Sequence, residues 1–250
     1  MPDLPQAFFA RPLAHRGLHD RAQGRIENSP AAFAAAIDAG YGIELDLQLS
    51  ADGEAMVFHD DELGRLTAET GRVRDRNADA LTQIRLKDSE DTIPTLEAVL
   101  AQVAGQVPLL IEIKDQDGAL GEMVGPLEAR VAALLKTYDG PVAVMSFNPH
   151  SIAAMAEAAP EIPRGLVTCG FHPGNWRGVP EARLEALREI PDFDRVGASF
   201  ISHDHKDLDR PRVAEIAKTH PVLCWTIRSA AEEERARRIV SNITFEGYRP

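Results

Sequence analysis

Cysteine is nearly absent from this chain, with two in 250 residues, Cys169 and Cys224. So few cannot build a disulfide framework; they suit a reducing compartment, and the expected location is the cytoplasm. Basic charge is also scarce. Lys and Arg number 27 against 39 Asp and Glu, for a formal net charge of −12. That balance argues against general nucleic-acid binding, which relies on basic surface to neutralise phosphates. An anionic ligand would need local positive charge from arginine, lysine or a metal. No apolar run approaches the roughly 18 residues of a membrane span, so no membrane anchor is expected. The opening stretch MPDLPQAFFARPLAHRG lacks a basic region followed by an apolar core and does not read as a secretory signal.

Hydrophobic residues make up 44% and charged residues 26% of the chain, the balance of a soluble globular protein able to bury a core. The length fits one α/β barrel or two small domains. Strand and helix signals alternate throughout. Pro30 to Ala39 is Ala-rich and helical, entered through Asn28-Ser29 and stopped at Gly40. Strand signals lie near residues 13, 45, 111, 144, 166, 198, 224 and 244, with helical stretches between most of them, while about 60 to 91 reads as a polar, irregular insertion. Eight strands separated by helices predict a (β/α)8 TIM barrel in a single domain. A doubly wound sheet is the alternative, but no glycine-rich phosphate loop follows the first strand.

The densest chemistry lies in Ala14-His15-Arg16-Gly17 and in the run IELDLQLSADGEAMVFHD from Ile43 to Asp60. Asp52-Gly53 signals a two-residue type I′ hairpin. That turn sets Ala51 opposite Glu54, Leu49 opposite Met56 and Leu47 opposite Phe58, giving one apolar face. Gln48 then faces Val57 and Asp46 faces His59, with Glu44 on the same side about 7 Å from Asp46. Glu112 and Lys114 share a face of the next strand. Barrel strands lie about 4.8 Å apart, close enough for Glu44, Asp46 and Glu112 to hold one hard divalent cation, Mg²⁺ or Ca²⁺. Oxygen ligands beside two imidazoles are what metal-assisted phosphoester chemistry needs, with Arg16 as a planar partner for phosphate oxygens. Lysine on a strand is unusual unless an anion or carboxylate meets it, so Lys114 joins Arg16 as a candidate phosphate ligand.

Together these stretches resemble the glycerophosphodiester phosphodiesterase family over nearly the whole chain. The matching segments are His15-Arg16-Gly17, Glu27-Asn28-Ser29, Ile43-Glu44-Leu45-Asp46, Asp52-Gly53, His59-Asp60, Ile93-Pro94-Thr95-Leu96, Ile111-Glu112-Ile113-Lys114, Ser146-Phe147 and Trp225-Thr226. The resemblance implies a TIM barrel that hydrolyses small soluble glycerophosphodiesters to sn-glycerol 3-phosphate and an alcohol. It also implies a divalent metal on Glu44, Asp46 and Glu112, with His15 and His59 as the acid–base pair. Two departures occur. Thr244-Phe245-Glu246 stands where the family commonly has Thr-Asp, and Arg228 where it often has Asn or Asp. The competing functions are a lysophospholipase D-like enzyme and a catalytically silent barrel; retention of both histidines and all three carboxylates speaks against the latter.

The remaining features carry blander expectations. His203-Asp204-His205 reads as a solvated charged loop, and His19, His150 and His172 are as readily surface as barrel mouth. Trp225 is expected to form an apolar wall against substrate, and Phe8-Phe9 to be a bottom plug or N-terminal packing. Arg235, Arg237 and Arg238 read as a solvated helix face.

Overall fold

Leu13 pairs with strands from opposite halves of the chain, and that contact closes the sheet. In this computed structural model, which describes residues 2–250, strand β1 (Leu13–Ala14) runs parallel to β2 (Gly42–Leu49) through Leu13 and Gly42. It also runs parallel to β9 (Asn242–Phe245) through Leu13 and Thr244. Between them lie β4 (Leu109–Ile113), β5 (Val142–Ser146), β6 (Arg164–Thr168), β7 (Phe200–Asp204) and β8 (Val222–Ile227), each parallel to its neighbours. These eight strands form a closed barrel, the (β/α)8 architecture expected. The remaining strand, β3 (Ala55–Val57), pairs antiparallel with the end of β2.

The helices follow from local signals: α1 (Ala7–Ala10), α2 (Pro30–Asp38), α3 (Ala78–Leu81), α4 (Leu96–Val103), α5 (Pro126–Leu135), α6 (Pro149–Ala158), α7 (Glu181–Arg188), α8 (Pro211–Ile216) and α9 (Ala230–Ala236). Four of them, α2, α5, α6 and α8, begin with proline, whose fixed φ and missing N–H suit a first turn. Ser29, Thr95 and Ser229 cap α2, α4 and α9 by accepting a backbone N–H.

Strand alternation then sorts the side chains. Ile43, Leu45, Leu47, Ile111, Ile113 and Val144 belong to the layer packed against helices. Leu13, Leu110, Ala143, Met145, Val167, Phe200 and Leu223 fill the barrel with Leu4 and Phe8. Phe8, fully buried on α1, is the expected bottom plug. Residues from Met56 to Ile93 make a small core of their own, with Phe58, Leu63, Val73, Leu81 and Leu86 buried. That core packs the segment following β3, which sequence composition reads as an irregular insertion.

Two local expectations fail. The hairpin register is one residue off: Leu47 faces Val57, Gln48 faces Met56 and Leu49 faces Ala55. The loop has three residues, with Gly53 N–H donating to Ser50 C=O and only Gly53 at positive φ (+89°). Asp52 is spared the left-handed conformation that a type I′ turn would impose, and its carboxylate instead accepts from Ser50 Oγ and the Ala78 N–H, tying the turn to α3. Phe58, and not His59, therefore meets Asp46, donating its N–H to the Asp46 carbonyl. Strand β7 is also displaced, to Phe200–Asp204 from the expected position near residue 198. Val196 and Ala198 are buried in the turn before it, around Gly197 at φ +60°, while the polar Ser202 and His203 continue the strand.

Candidate active site

The carboxyl ends of β1, β2 and β4 converge on one acidic cluster. Register sets Asp46 beside Glu112, and Glu44, Asp46 and Glu112 offer oxygens within 4.8 Å of one another. All three are buried. Lys114 spans two of them, its Nζ 2.7 Å from Asp46 Oδ1 and 2.6 Å from Glu112 Oε1. Asp46 Oδ2 accepts from Asn28 Nδ2 at 2.8 Å and lies 3.2 Å from Arg16 Nε, and Glu44 Oε2 accepts from the Arg16 backbone N–H at 3.0 Å.

Crowded negative charge sets the titration. Burial, reinforced by Asp46 and Glu112, pushes the Glu44 carboxyl well above its ordinary range. Burial also opposes ionisation of Asp46, but Lys114, His59 and Arg16 outweigh it and hold that carboxyl far below its ordinary range. Burial likewise works against the Lys114 charge, and the two carboxylates overcome it, holding the ammonium above its usual range.

These residues fit a hard divalent cation. The donors are three carboxylates, as Mg²⁺ and Ca²⁺ prefer, and Asp46 Oδ1 is buried without a well-directed hydrogen bond despite the nearby ammonium. An oxygen with an unspent lone pair at the centre of a cluster whose charge is only partly balanced is suited to a metal.

Local backbone geometry presents the first histidine. Arg16 (φ +56°) and Gly17 (φ +80°) turn the chain sharply after β1. A Cβ on Gly17 would lie 2.9 Å from the Ala32 carbonyl carbon, so both the turn and the approach of α2 require glycine. His15 Nδ1 is 2.5 Å from Glu246 Oε2, and its Nε2 is 3.9 Å from Glu44 Oε2. Arg228 binds Glu246 Oε1 from the other side, at 2.8 Å from Nε and 2.7 Å from Nη2. Burial works against the Glu246 charge, but His15, His19 and Arg228 hold its carboxyl far below the ordinary range. An ionised carboxylate can only accept, so neutral His15 carries its proton on Nδ1 and turns a free Nε2 lone pair toward Glu44. Burial lowers the His15 pKa, while Glu246 works the other way.

The second histidine has a matching support. His59 Nδ1 is 2.7 Å from Asp60 Oδ1, and Arg65 Nε is 2.5 Å from Asp60 Oδ2. Arg65 also grips Glu27 through two hydrogen bonds of 2.8 Å, and Glu27 binds Arg16 Nη1 at 2.7 Å. An ion-pair chain thus runs from His59 to Arg16 and on to Asp46.

A cavity of about 300 Å³ is lined by His15, Arg16, Glu44, His59, Glu112, Lys114 and Trp225. All eight side chains expected at the site are therefore brought together, Asp46 lying directly behind this wall. His59, Glu112, Lys114, Phe147 and Trp176 are shared with a wider cleft of about 760 Å³, which adds Asp60, Asp61, Glu62, Asp115 and Leu120. Phe147 stands edge-on to both Trp176 and Trp225, with centroids 5.0 and 5.6 Å apart. Trp225 lines the inner cavity, its Nε1 donating to the Ser202 carbonyl.

Sequence reasoning missed Glu246 as the partner of His15 and Asn28 as the partner of Asp46. It also misplaced His203, which is fully buried on β7 with Nδ1 2.7 Å from Thr168 Oγ1 and Nε2 3.0 Å from the Asp207 carbonyl. Those two partners satisfy both ring nitrogens and allow the imidazole to leave water.

Residues 15–241 match the model of the glycerophosphoryl diester phosphodiesterase family. The chain belongs to that family. It is accordingly an enzyme, a phosphoric diester hydrolase of the glycerophosphodiester phosphodiesterase class. The Bacillus subtilis protein YhdW is 30% identical over 227 residues, spanning 87% of this chain and 86% of YhdW. A glycerophosphodiester phosphodiesterase of Caldanaerobacter subterraneus is 32% identical over 169 residues, 64% of this chain and 67% of that protein. Among solved structures, an Oleispira antarctica phosphodiesterase in complex with the product sn-glycerol-3-phosphate superposes with a TM-score of 0.77 at 24% identity, covering 96% of this chain and 94% of that one. Among the described residues, no helix is long and apolar enough to cross a membrane.

Proposed function

We propose that this enzyme hydrolyses small glycerophosphodiesters to sn-glycerol 3-phosphate and an alcohol, with His15 and His59 as its acid–base pair. The observation that carries this reading is two imidazoles, each backed on Nδ1 by a carboxylate held in turn by an arginine, on one cavity with three buried carboxylates. The product bound by the Oleispira relative supports the substrate class.

Glu44, Asp46 and Glu112 would hold a Mg²⁺ or Ca²⁺ ion, which when bound supplies positive charge against the phosphate oxygens. Arg16 and Lys114 add fixed positive charge on the same wall. His15, kept neutral by burial and with Nε2 free, takes the proton of the attacking hydroxyl, either that of water or that of the glycerol itself, in which case a water then opens the resulting cyclic phosphate. His59, at the junction of the two cavities, gives a proton to the leaving oxygen. Asp60, 2.7 Å from His59 Nδ1, orients that ring.

In this arrangement the glycerol side occupies the inner cavity and the alcohol departs through the wider cleft. The width of that cleft supports a tolerance for several alcohols, with rates within about tenfold of one another. A lysophospholipid would need an apolar groove for its acyl chain. Among the described residues the exposed large hydrophobic side chains are Met123 and Ile239, and neither lines the cleft. The two free, buried cysteines agree with a reducing, cytoplasmic setting, and we read the chain as one domain whose segment at about 60–91 is an insertion. The deciding experiment is release of sn-glycerol 3-phosphate from glycerophosphocholine, glycerophosphoethanolamine and glycerophosphoinositol, with and without chelator. No release from any of them in the presence of Mg²⁺ or Ca²⁺ would refute the reading.

A further inference from the structure

We propose that His15, His19 and Glu246 form a second metal site, selective for Zn²⁺-like transition metals, whose occupation switches the enzyme off. The inhibitory part rests on the role given to His15 above; the site itself does not.

Ligand atoms of the three side chains lie within 4.8 Å of one another, apart from the Glu44, Asp46 and Glu112 cluster. Glu246 Oε2 is the hub, 2.5 Å from His15 Nδ1 and 3.6 Å from His19 Nε2. Arg228 occupies the other oxygen, Oε1, and so aims Oε2 at the two imidazoles. His19 Nε2 is a buried atom with no hydrogen-bond partner. A nitrogen withdrawn from water without a partner costs stability unless something else uses it. Two imidazoles and one carboxylate, with the fourth position open, are a zinc ligand set. Mg²⁺ and Ca²⁺ prefer oxygen donors and would favour the carboxylate cluster.

Zinc bonds of about 2.0–2.2 Å in a tetrahedron put ligand atoms about 3.3 Å apart. The 3.6 Å separation already suits this, and the 2.5 Å contact must widen as the proton between its partners leaves. The proton balance gives the consequence. In the free enzyme neutral His15 holds its proton on Nδ1 and offers the Nε2 lone pair. With zinc on Nδ1, that proton passes through solvent to Nε2, and the imidazole remains neutral overall. Its Nε2 is then a donor and can no longer take a proton from the nucleophile.

The test uses the purified full-length enzyme with saturating Mg²⁺. Competition against a chromophoric chelator is expected to show one zinc per chain, and Co²⁺ to give the intense visible bands of a four-coordinate site. Catalysis should fall in step with zinc occupancy. His19→Ala and the more conservative His19→Gln should each weaken zinc binding by about tenfold or more and abolish the cobalt bands, raising the zinc concentration needed for inhibition by the same factor. Circular dichroism of the two variants identifies one that keeps the fold. Unchanged zinc affinity in the folded variant, or zinc displaced stoichiometrically by excess Mg²⁺, would overturn the site. Zinc bound at this site without loss of activity would overturn the switch. An enzyme inactive on all glycerophosphodiesters would instead refute the proposed function, with the chelator and cobalt measurements still reporting on the site.

Discussion

Glu246 divides its two oxygens between Arg228 and His15: Oε1 accepts from Arg228 Nε at 2.8 Å, and Oε2 lies 2.5 Å from His15 Nδ1. In the sequence these two positions read as departures from the family it resembles, and in the structure the two side chains meet. Arg228 fixes the carboxylate, and the carboxylate fixes the imidazole. Glu246→Ala should therefore reduce kcat by about 10²-fold with little change in KM, somewhat below the 10⁴ or so lost when a serine-protease triad loses its carboxylate. Arg228→Ala should cost less, since His15 still holds Glu246. Steady-state kinetics on glycerophosphocholine checks both, and a Glu246→Ala enzyme with unaltered kcat would show that His15 needs no such partner.

The direction of the His15 shift fixes a pH dependence. Burial lowers its pKa from the ordinary 6.5, so the neutral, basic form persists below that value. At saturating metal, kcat/KM should stay high as pH falls to 6.5 and decline only below it, as His15 becomes protonated. Because Glu246 acts to raise this pKa, its removal should move the acid limb further down, not up. A limb centred at or above pH 7 in the native enzyme would exclude His15 as the base.

Under the proposed mechanism, removing His15 or His59 removes a positioned acid or base while leaving the barrel intact. His15→Ala and His59→Ala should each slow turnover by about 10² to 10⁴. Thermal unfolding should change little, because neither ring fills the core and both line a cavity. His203→Ala should behave in the opposite way. Its ring is fully buried and bonded to Thr168 and the Asp207 carbonyl, so the variant should be destabilised, by roughly 1–3 kcal/mol for the polar groups it orphans, before any effect on chemistry. Near-native activity of the His59 variant would remove that residue from the mechanism.

How far these features were legible beforehand depends on the range of the interaction that sets them. The barrel follows from strand periodicity and helix starts, local signals repeated along the chain, and the grouping of Glu44, Asp46 and Glu112 follows from alternation on two adjacent strands. The hairpin register failed because Asp52 is bound by Ala78, a contact that turn propensity does not contain. The His15–Glu246 pair joins the first strand to the last, 231 residues apart, and nothing in either segment alone announces it. His203 was misread for a related reason, since its partners make a charged-looking tripeptide compatible with burial.

Metal dependence tests the carboxylate cluster. Exhaustive chelation should abolish turnover and added Mg²⁺ or Ca²⁺ should restore it, because without the cation the phosphate meets three carboxylates balanced only by Lys114 and Arg16. Glu112→Gln should raise the metal concentration needed for half-maximal activity by about tenfold or more. Lys114→Met leaves Asp46 and Glu112 buried without their ammonium partner, a loss of about 3–5 kcal/mol for breaking a buried pair, part of which added metal should recover. Full activity in a preparation shown by elemental analysis to be metal-free would dispose of this account.

The wider cleft predicts where alcohol recognition resides. Trp176 and Phe147 form one wall of it, and Asp61 and Glu62 lie among its lining residues. A quaternary ammonium group against an indole face gains about 0.5–2 kcal/mol, or roughly 2- to 30-fold in affinity. Trp176→Ala should therefore raise KM for glycerophosphocholine within that range while leaving kcat nearly unchanged, since contact with the indole face holds the alcohol alike in the ground and transition states. The same substitution should have a smaller effect on glycerophosphoinositol, whose alcohol carries no positive charge. Glycerophosphocholine should also be cleaved faster than lysophosphatidylcholine at matched concentrations below micelle formation, because neither exposed large hydrophobic side chain, Met123 or Ile239, lines the cleft to receive the acyl chain of the latter. Equal KM increases for the two glycerophosphodiesters would reduce Trp176 to a steric wall, and faster cleavage of the lysophospholipid would transfer the enzyme to the lipid-directed class.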